Sequence, residues 1–412
     1  MLAVFKRARS EYPRQFWLMF WGMMISSIGG SMIWPFLMVY VSGKLKLDMT
    51  TTASLMTLSA VSGLIASFIA GPIVDRLGRK WVMVVSLVLN AVSYIFMSDA
   101  NTLAQFAVLM TLNGVFNPLY RIGVDAMIAD LIPSEKRADA YSLTRMAQNI
   151  GVAVGPAIGG FMAALSYGIA FLLAALSLLI YGVLIALFAA ETMPAHSALQ
   201  KRHVEKIGGY GSILRDRPFI GFVASTTFMT MAAAMVWMLL AVYTKQNYGI
   251  PESQYGFIPT TNALMVILFQ FAVTLVTKRF SPLPIVALGA FFYTIATGGI
   301  VLGQGFWGFW VCMVILTIGE MIMQPTASTY VAGLAPADKR GRYMSLYGLT
   351  WNIASGIGPV VGGMLNDNLG PPAIWYGGAL FGAISVVGFI LLALRNRPIV
   401  QPATPPAIDT AG

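Results

Sequence analysis

The chain has 412 residues, of which 57% are hydrophobic and only 10% charged, with a formal net charge of +10. Soluble domains carry about 25% charged residues, so this composition excludes a soluble globular protein and points to lipid as the solvent. The single cysteine, Cys312, excludes a disulfide framework, and the two histidines, His196 and His203, share one polar stretch, which excludes a histidine-based metal centre.

Hydrophobic segments at 16–41, 51–74, 80–98, 102–132, 138–166, 168–190, 219–246, 253–277, 283–304, 306–334, 341–366 and 372–394 read as twelve helices. Each can cross a hydrocarbon core of about 30 Å, for which about 20 residues suffice. Lys6, Arg7, Arg9 and Arg14 before the first segment mimic a signal peptide. That apolar run is too long for a signal core, and eleven more follow, so it reads as helix 1. Pro35 is expected to break helix 1 beside Trp34. Between helices 2 and 3 stands Gly71-Pro-Ile-Val-Asp75-Arg-Leu-Gly78-Arg79-Lys80. Its Gly78 permits a positive φ, and its acid among bases can either pair across a helix seam or remain a solvated, topogenic loop.

Helix 4 carries Arg121 and Asp125, four residues apart and so on one face, a spacing that allows an ion pair. Helix 5 carries Arg145 and then Gly151, Gly155, Pro156, Gly159 and Gly160 in the pattern GxxxGPxxGG. Small residues on one face let two helix backbones approach closely, and the proline removes a backbone donor. A polar, basic stretch follows, dividing the chain into a first bundle at 1–192, a linker at 193–217, a second bundle at 218–395 and a tail at 396–412. Helix 7 contributes Trp237. Near the middle of helix 10 lies Glu320, with no basic residue within one turn, followed by Gln324 and Pro325, the latter expected to break that helix.

Lys and Arg divide unevenly: 21 fall at the chain ends, the even-to-odd loops and the linker, against Lys44, Lys46 and Lys245 on the opposite side, with Arg121 and Arg145 inside helices. This asymmetry predicts both termini and the linker in the cytoplasm. The positive charge is therefore topological, and no nucleic-acid partner is expected. The two halves also repeat one another. Leu131–Gly160 and Leu334–Gly363 align without a gap at an offset of 203 residues, pairing Pro133 with Pro336, Arg137 with Arg340, Asn149 with Asn352 and Pro156 with Pro359. A repeat of this length in an apolar chain indicates two homologous bundles around a shared axis, an architecture of secondary transporters.

The loop at 71–80 resembles the signature loop of the major facilitator superfamily, and the helix-5 motif resembles that of its drug:proton antiporter branch. The resemblance covers essentially the whole chain. It implies an all-α membrane protein of twelve transmembrane helices in two pseudo-symmetric six-helix bundles, multi-pass in the cell membrane and monomeric. It also implies a latch of Asp75 and Arg79 with an acid at the foot of helix 4, here Asp130, stabilising a state closed on the cytoplasmic side. Lys278-Arg279 stands at the corresponding loop of the second half, so the latch is single. Helix 5 is expected against helix 8, and its glycine motif bends the helix. Helices 1, 4, 7 and 10 line the central cavity in this family, which places Trp34, Arg121, Arg145, Trp237 and Gln324 as substrate-cavity residues.

Ionisable residues inside a bilayer are costly and mark function. A lone carboxylate in low dielectric can hold a proton at neutral pH and release it when water enters. Glu320, with Asp125, is thus the expected proton-coupling pair; packing roles are the alternative reading. The function read from the sequence is proton-coupled export of small amphipathic or drug-like compounds by alternating access, with protons and a small molecule as partners, no cofactor, no metal and no enzyme activity. Helices 1 and 7 lack an acid and helix 5 carries Arg145, so a lipid-like, zwitterionic or anionic substrate is the runner-up. Proton symport for uptake is a further alternative, and a non-transporting membrane sensor is disfavoured.

Overall fold

The structure is a computed structural model that describes residues 12–193, 210–336 and 339–395. Both histidines, the basic residues before Tyr12, most of the expected linker and the tail lie outside the described residues. In a bilayer every backbone amide must be satisfied within the protein, and here the described residues form helices and turns throughout. The helices are α1 (Arg14–Leu45), α2 (Met49–Leu77), α3 (Arg79–Asp99), α4 (Leu103–Leu131), α5 (Arg137–Leu165), α6 (Tyr167–Phe188), α7 (Arg217–Tyr248), α8 (Phe257–Thr277), α9 (Pro282–Gly299), α10 (Gly305–Leu334), α11 (Arg340–Leu369) and α12 (Ala373–Arg395).

Local chemistry sets the ends. Asp48 caps α2 by accepting from the Thr51 amide at 3.1 Å, and Thr102 and Gln105 close a capping box on α4. Asp216 caps α7 through the Phe219 amide, and Gly249 terminates that helix in the left-handed conformation. By length and composition ten of the long helices are apolar enough to cross a membrane. The other two, α4 and α11, match them in length. They hold Asn113, Asn117, Arg121 and Asp125 (α4) and Asn352 (α11), polar residues that line internal cavities.

The packing obeys a two-fold relation. Helix α1 lies on α5 and α6 as α7 lies on α11 and α12; α2 lies on α4 as α8 lies on α10; α3 lies on α4 and α6 as α9 lies on α10 and α12. Two long seams join the halves, α2 on α11 and α5 on α8, and residues 34–45 of α1 also meet α7. The molecule has a proximal face, where α1 begins and α12 ends, and a distal face opposite.

The glycine motif of α5 has a more specific role than a seam with α8. Side chains added at Gly151, Gly155 or Gly159 would collide with Ser27, Ser31 or the Met32 carbonyl of α1, so this stripe seats α5 on α1. The segment that opens α8 is met by Gly160, against the Glu252 backbone, and by Pro156, against Gly256. The echo on α11 repeats the scheme: Gly358 and Gly362 meet α7, while Gly363 meets Thr50 at the start of α2. Replacing Gly159 by leucine is therefore expected to push α5 off α1, at a cost of about 1–3 kcal/mol or more, read as a lower melting temperature in detergent.

Both prolines expected to interrupt helices sit at cavity depth, with different outcomes. Helix α1 does break, passing through a 3-10 turn at Trp34–Phe36. Helix α10 runs continuously through Pro325. Proline frees the carbonyl four residues earlier, here that of Met321, and Gln270 of α8 donates to it at 3.0 Å. A neighbouring helix thus satisfies the carbonyl that the proline leaves free.

Candidate functional site

Between the halves lies a cavity of about 560 Å³, within the range of small-molecule sites. Trp34 at the break of α1 and Trp237 of α7 form its distal wall, with ring centroids 6.3 Å apart and planes at 46°. Arg121 of α4 lines it from the first half; Glu320 and Gln324 of α10 line it from the second. A second compartment of about 460 Å³ adjoins it between α2, α4 and α11 and shares Trp34, Arg121 and Trp351. Asp125 lines this second compartment and not the first.

Glu320 faces the cavity rather than lipid. Its Oε2 accepts from Asn262 Nδ2 of α8 at 2.8 Å, and the same amide donates to Thr317 Oγ1 at 2.9 Å. Thr317 spends its own hydroxyl proton on the Met313 carbonyl. Asn262 is thus committed as a donor, and the buried amide fixes one carboxylate oxygen. No cation pairs with Glu320 among the described residues, whose ion pairs are Arg79–Asp75, Arg79–Asp130 and Lys245–Glu252.

The Arg121–Asp125 ion pair that their spacing allows is not formed. The two are within electrostatic reach, yet both are solvent-exposed and the guanidinium makes no hydrogen bond among the described residues. Arg145 lines neither compartment. Helix α5 begins at Arg137, so Arg145 lies only two turns in, nearer the proximal end than Gln148, which does reach the cavity. Its depth matches that of Arg121 and Asp125 on α4, but it is not among the residues that line the cavity, where it was expected.

The latch residues meet at the proximal face. Arg79 is 1% exposed; its Nη2 pairs with Asp75 Oδ1 at 3.1 Å and its Nε with Asp130 Oδ2 at 3.0 Å. Gly78 makes the turn at φ 90°, a conformation that glycine tolerates without strain. Glu191, just past α6, completes the cluster: its carboxylate accepts from the Arg79 and Lys80 amides at 2.9 and 3.1 Å, satisfying the start of α3. Sequence reasoning missed Glu191, although an acid directly after an apolar span and ahead of a basic linker was its signal. All of these residues belong to the first half.

The contacts that bridge the halves gather distally. Asp367 at the end of α11 accepts from the Thr50 amide at 2.8 Å, the Thr50 hydroxyl at 2.6 Å and the Met49 amide at 3.3 Å. On the other seam, Glu252 accepts from the Tyr167 hydroxyl at 2.9 Å and pairs with Lys245 at 2.8 Å. Phe161 meets Phe257 edge-on nearby. At the proximal end α4 and α10 each pack within their own half, and Arg121, Asp125 and Gln324 are exposed. The conformation is closed distally and parted proximally. The latch cluster therefore exists while its own face is parted: it braces α2, α3, α4 and the end of α6 and does not by itself join the halves. Replacing Asp367 by alanine is expected to loosen the distal seal. Spin labels at Ser54 and Met364 in a Cys312→Ser background would then show a larger long-distance population than the parent.

Residues 19–242 and 222–410 match the family model described as Major Facilitator Superfamily. The chain is 24% identical over 359 residues to the Na(+), Li(+), K(+)/H(+) antiporter of Planococcus maritimus, covering 80% of this chain and 84% of that one. It is 24% identical over 356 residues to the quinolone resistance protein NorA of Staphylococcus aureus, covering 86% and 90%. Its fold superposes with a TM-score of 0.76 on a bacterial homolog to the human lysosomal transporter Spinster, in an inward-facing and occupied conformation, at 14% identity over 92% of this chain and 96% of that one. Paired six-helix bundles around a central cavity and a family match across both halves lead to one conclusion: this chain belongs to the Major Facilitator Superfamily and is a multi-pass secondary membrane transporter, not an enzyme.

Proposed function

We propose that the protein exports small amphipathic compounds in exchange for protons, by alternating access to the Trp34–Trp237 cavity. The observation that carries this reading is Glu320: a carboxylate facing an aromatic-walled cavity, held by one neutral amide and paired with no cation among the described residues. A lone carboxylate at membrane depth must bind a proton or a cationic group. Proton and substrate then compete for it, and neither crosses without displacing the other. Two relatives support the reading by what their names state, one as a quinolone resistance protein and one as a cation/proton antiporter.

The Lys and Arg asymmetry assigns the proximal face to the cytoplasm, so the present conformation is the one that loads substrate from inside. Asp125, in the adjoining compartment on the proximal side, serves as a second proton stop on the way to Glu320. Outward opening breaks the distal contacts of Asp367 and Glu252 and draws the proximal ends of α4 and α10 together, with the Asp75–Arg79–Asp130 cluster keeping the first half rigid during the swing. A single chain contains the whole cavity, and a monomer suffices. The test is a proteoliposome assay with an imposed pH gradient and a panel of amphipathic compounds. Flux that follows the pH gradient supports the reading; flux of every compound indifferent to it refutes proton coupling.

A further inference from the structure

Two features of the cavity are unused by the packing around them. Arg121 lines both compartments and makes neither a hydrogen bond nor an ion pair among the described residues. Its guanidinium presents a planar fork of donors that matches a carboxylate. Asn90 of α3 lines the first compartment and is 4% exposed, and its Oδ1 has no hydrogen-bond partner. A buried amide oxygen without a donor carries a desolvation cost that a ligand N–H can relieve. On the opposite half stands Glu320, with Oε2 held by Asn262 and no cation beside it.

We propose that the cavity selects zwitterions: flat, partly apolar molecules that carry an anionic group for Arg121 and a protonated amine for Glu320, with Asn90 Oδ1 accepting from a substrate N–H. The inference rests on the transporter reading above and names its substrate class. The argument is one of charge balance. The first compartment holds one guanidinium and one carboxylate, from opposite halves, and Asp125, which faces Arg121 from the second compartment, does not neutralise it by contact. A purely cationic molecule at Glu320 leaves the Arg121 guanidinium without an anionic partner. A purely anionic one at Arg121 leaves Glu320 with its proton and without an amine to accept. Only a molecule bearing both charges engages both walls, so each singly charged class forgoes one charge-assisted contact. Trp34 and Trp237 supply apolar ring surface for the body of the molecule. Protonation of Glu320 releases the amine end while leaving the anion on Arg121, so the proton acts on one defined contact.

The test uses one aromatic scaffold in three charge states with the purified full-length chain: 4-(piperazin-1-yl)benzoic acid, its methyl ester and its N-acetyl derivative, which are respectively zwitterion, cation and anion near neutral pH. Binding is read by titration calorimetry. The zwitterion is expected to bind about ten-fold or more tightly than either relative, the gain expected of one charge-assisted contact. In Arg121→Gln that advantage over the ester disappears while the affinity for the ester holds or improves. An ester that binds as tightly as the zwitterion, equal weakening of all three probes in Arg121→Gln, or binding of none of them overturns the proposal. The wild-type comparison stands even where the variant misfolds. The same three probes in vesicles separate the two readings: pH-driven flux of the ester equal to that of the zwitterion sinks zwitterion selection and leaves proton-coupled transport intact.

Discussion

Replacing Glu320 by glutamine is expected to reduce pH-driven transport to the level of protein-free vesicles while leaving the protein folded. Glutamine keeps the shape of the side chain, and its carbonyl oxygen still accepts from Asn262 Nδ2, which reaches Glu320 at 2.8 Å. Thr317 and Met313 keep their own bond. What is lost is the ability to carry a proton and to exchange it for a cationic group. The variant should therefore elute and melt like the parent, since the neutral side chain spares the cost of burying a charge. Downhill exchange of substrate across the membrane should persist at a measurable rate. Full pH-driven flux in this variant would remove Glu320 from the coupling step.

Replacing Arg79 by alanine is expected to be the most destabilising single change at the proximal face. The guanidinium is 1% exposed and touches Asp130, which is 13% exposed, and Asp75, which is 42% exposed. Removing one partner of a buried pair leaves an uncompensated charge, at about 3–5 kcal/mol. Most of that loss belongs to Asp130, because an exposed carboxylate such as Asp75 contributes about 1 kcal/mol or less. Three variants read together check this: Arg79→Ala should melt far below the parent, the double variant Arg79→Ala/Asp130→Ala should recover part of the loss, and Asp75→Asn should melt close to the parent. Equal destabilisation by Arg79→Ala and Asp75→Asn would contradict the assignment. The cluster ties the ends of three helices and Glu191 into one block, so turnover in Arg79→Ala should fall further than substrate affinity.

Much of this was legible from the chain itself. Apolar length, loop charge and the repeat at an offset of 203 residues gave helices whose ends match the structure to within about a turn. Glu320 could be singled out because an acid without a nearby base on its own helix is a local fact. What escaped depended on neighbouring helices. Pro325 leaves α10 intact, and Gln270, fifty-one residues away, satisfies the carbonyl it frees. The Arg121–Asp125 spacing permits a pair, yet both side chains line the second compartment without forming one. Helix 5 does pack on helix 8 as expected, while its glycines find their main seat on α1, a choice that helix periodicity leaves open. Asp367, Asn262 and Asn90 are ordinary polar residues in sequence and acquire roles only where a helix terminus, a carboxylate or a cavity comes to meet them.

The most direct measurement of the central claim is proton release on substrate binding. Purified protein in weakly buffered detergent solution, mixed with a transported compound near neutral pH, should release protons in proportion to the sites filled. Glu320→Gln, binding the same compound, should release none. Substrate binding that leaves the pH unchanged in the parent, or equal release in the variant, would contradict a single carboxylate shared in turn by proton and substrate.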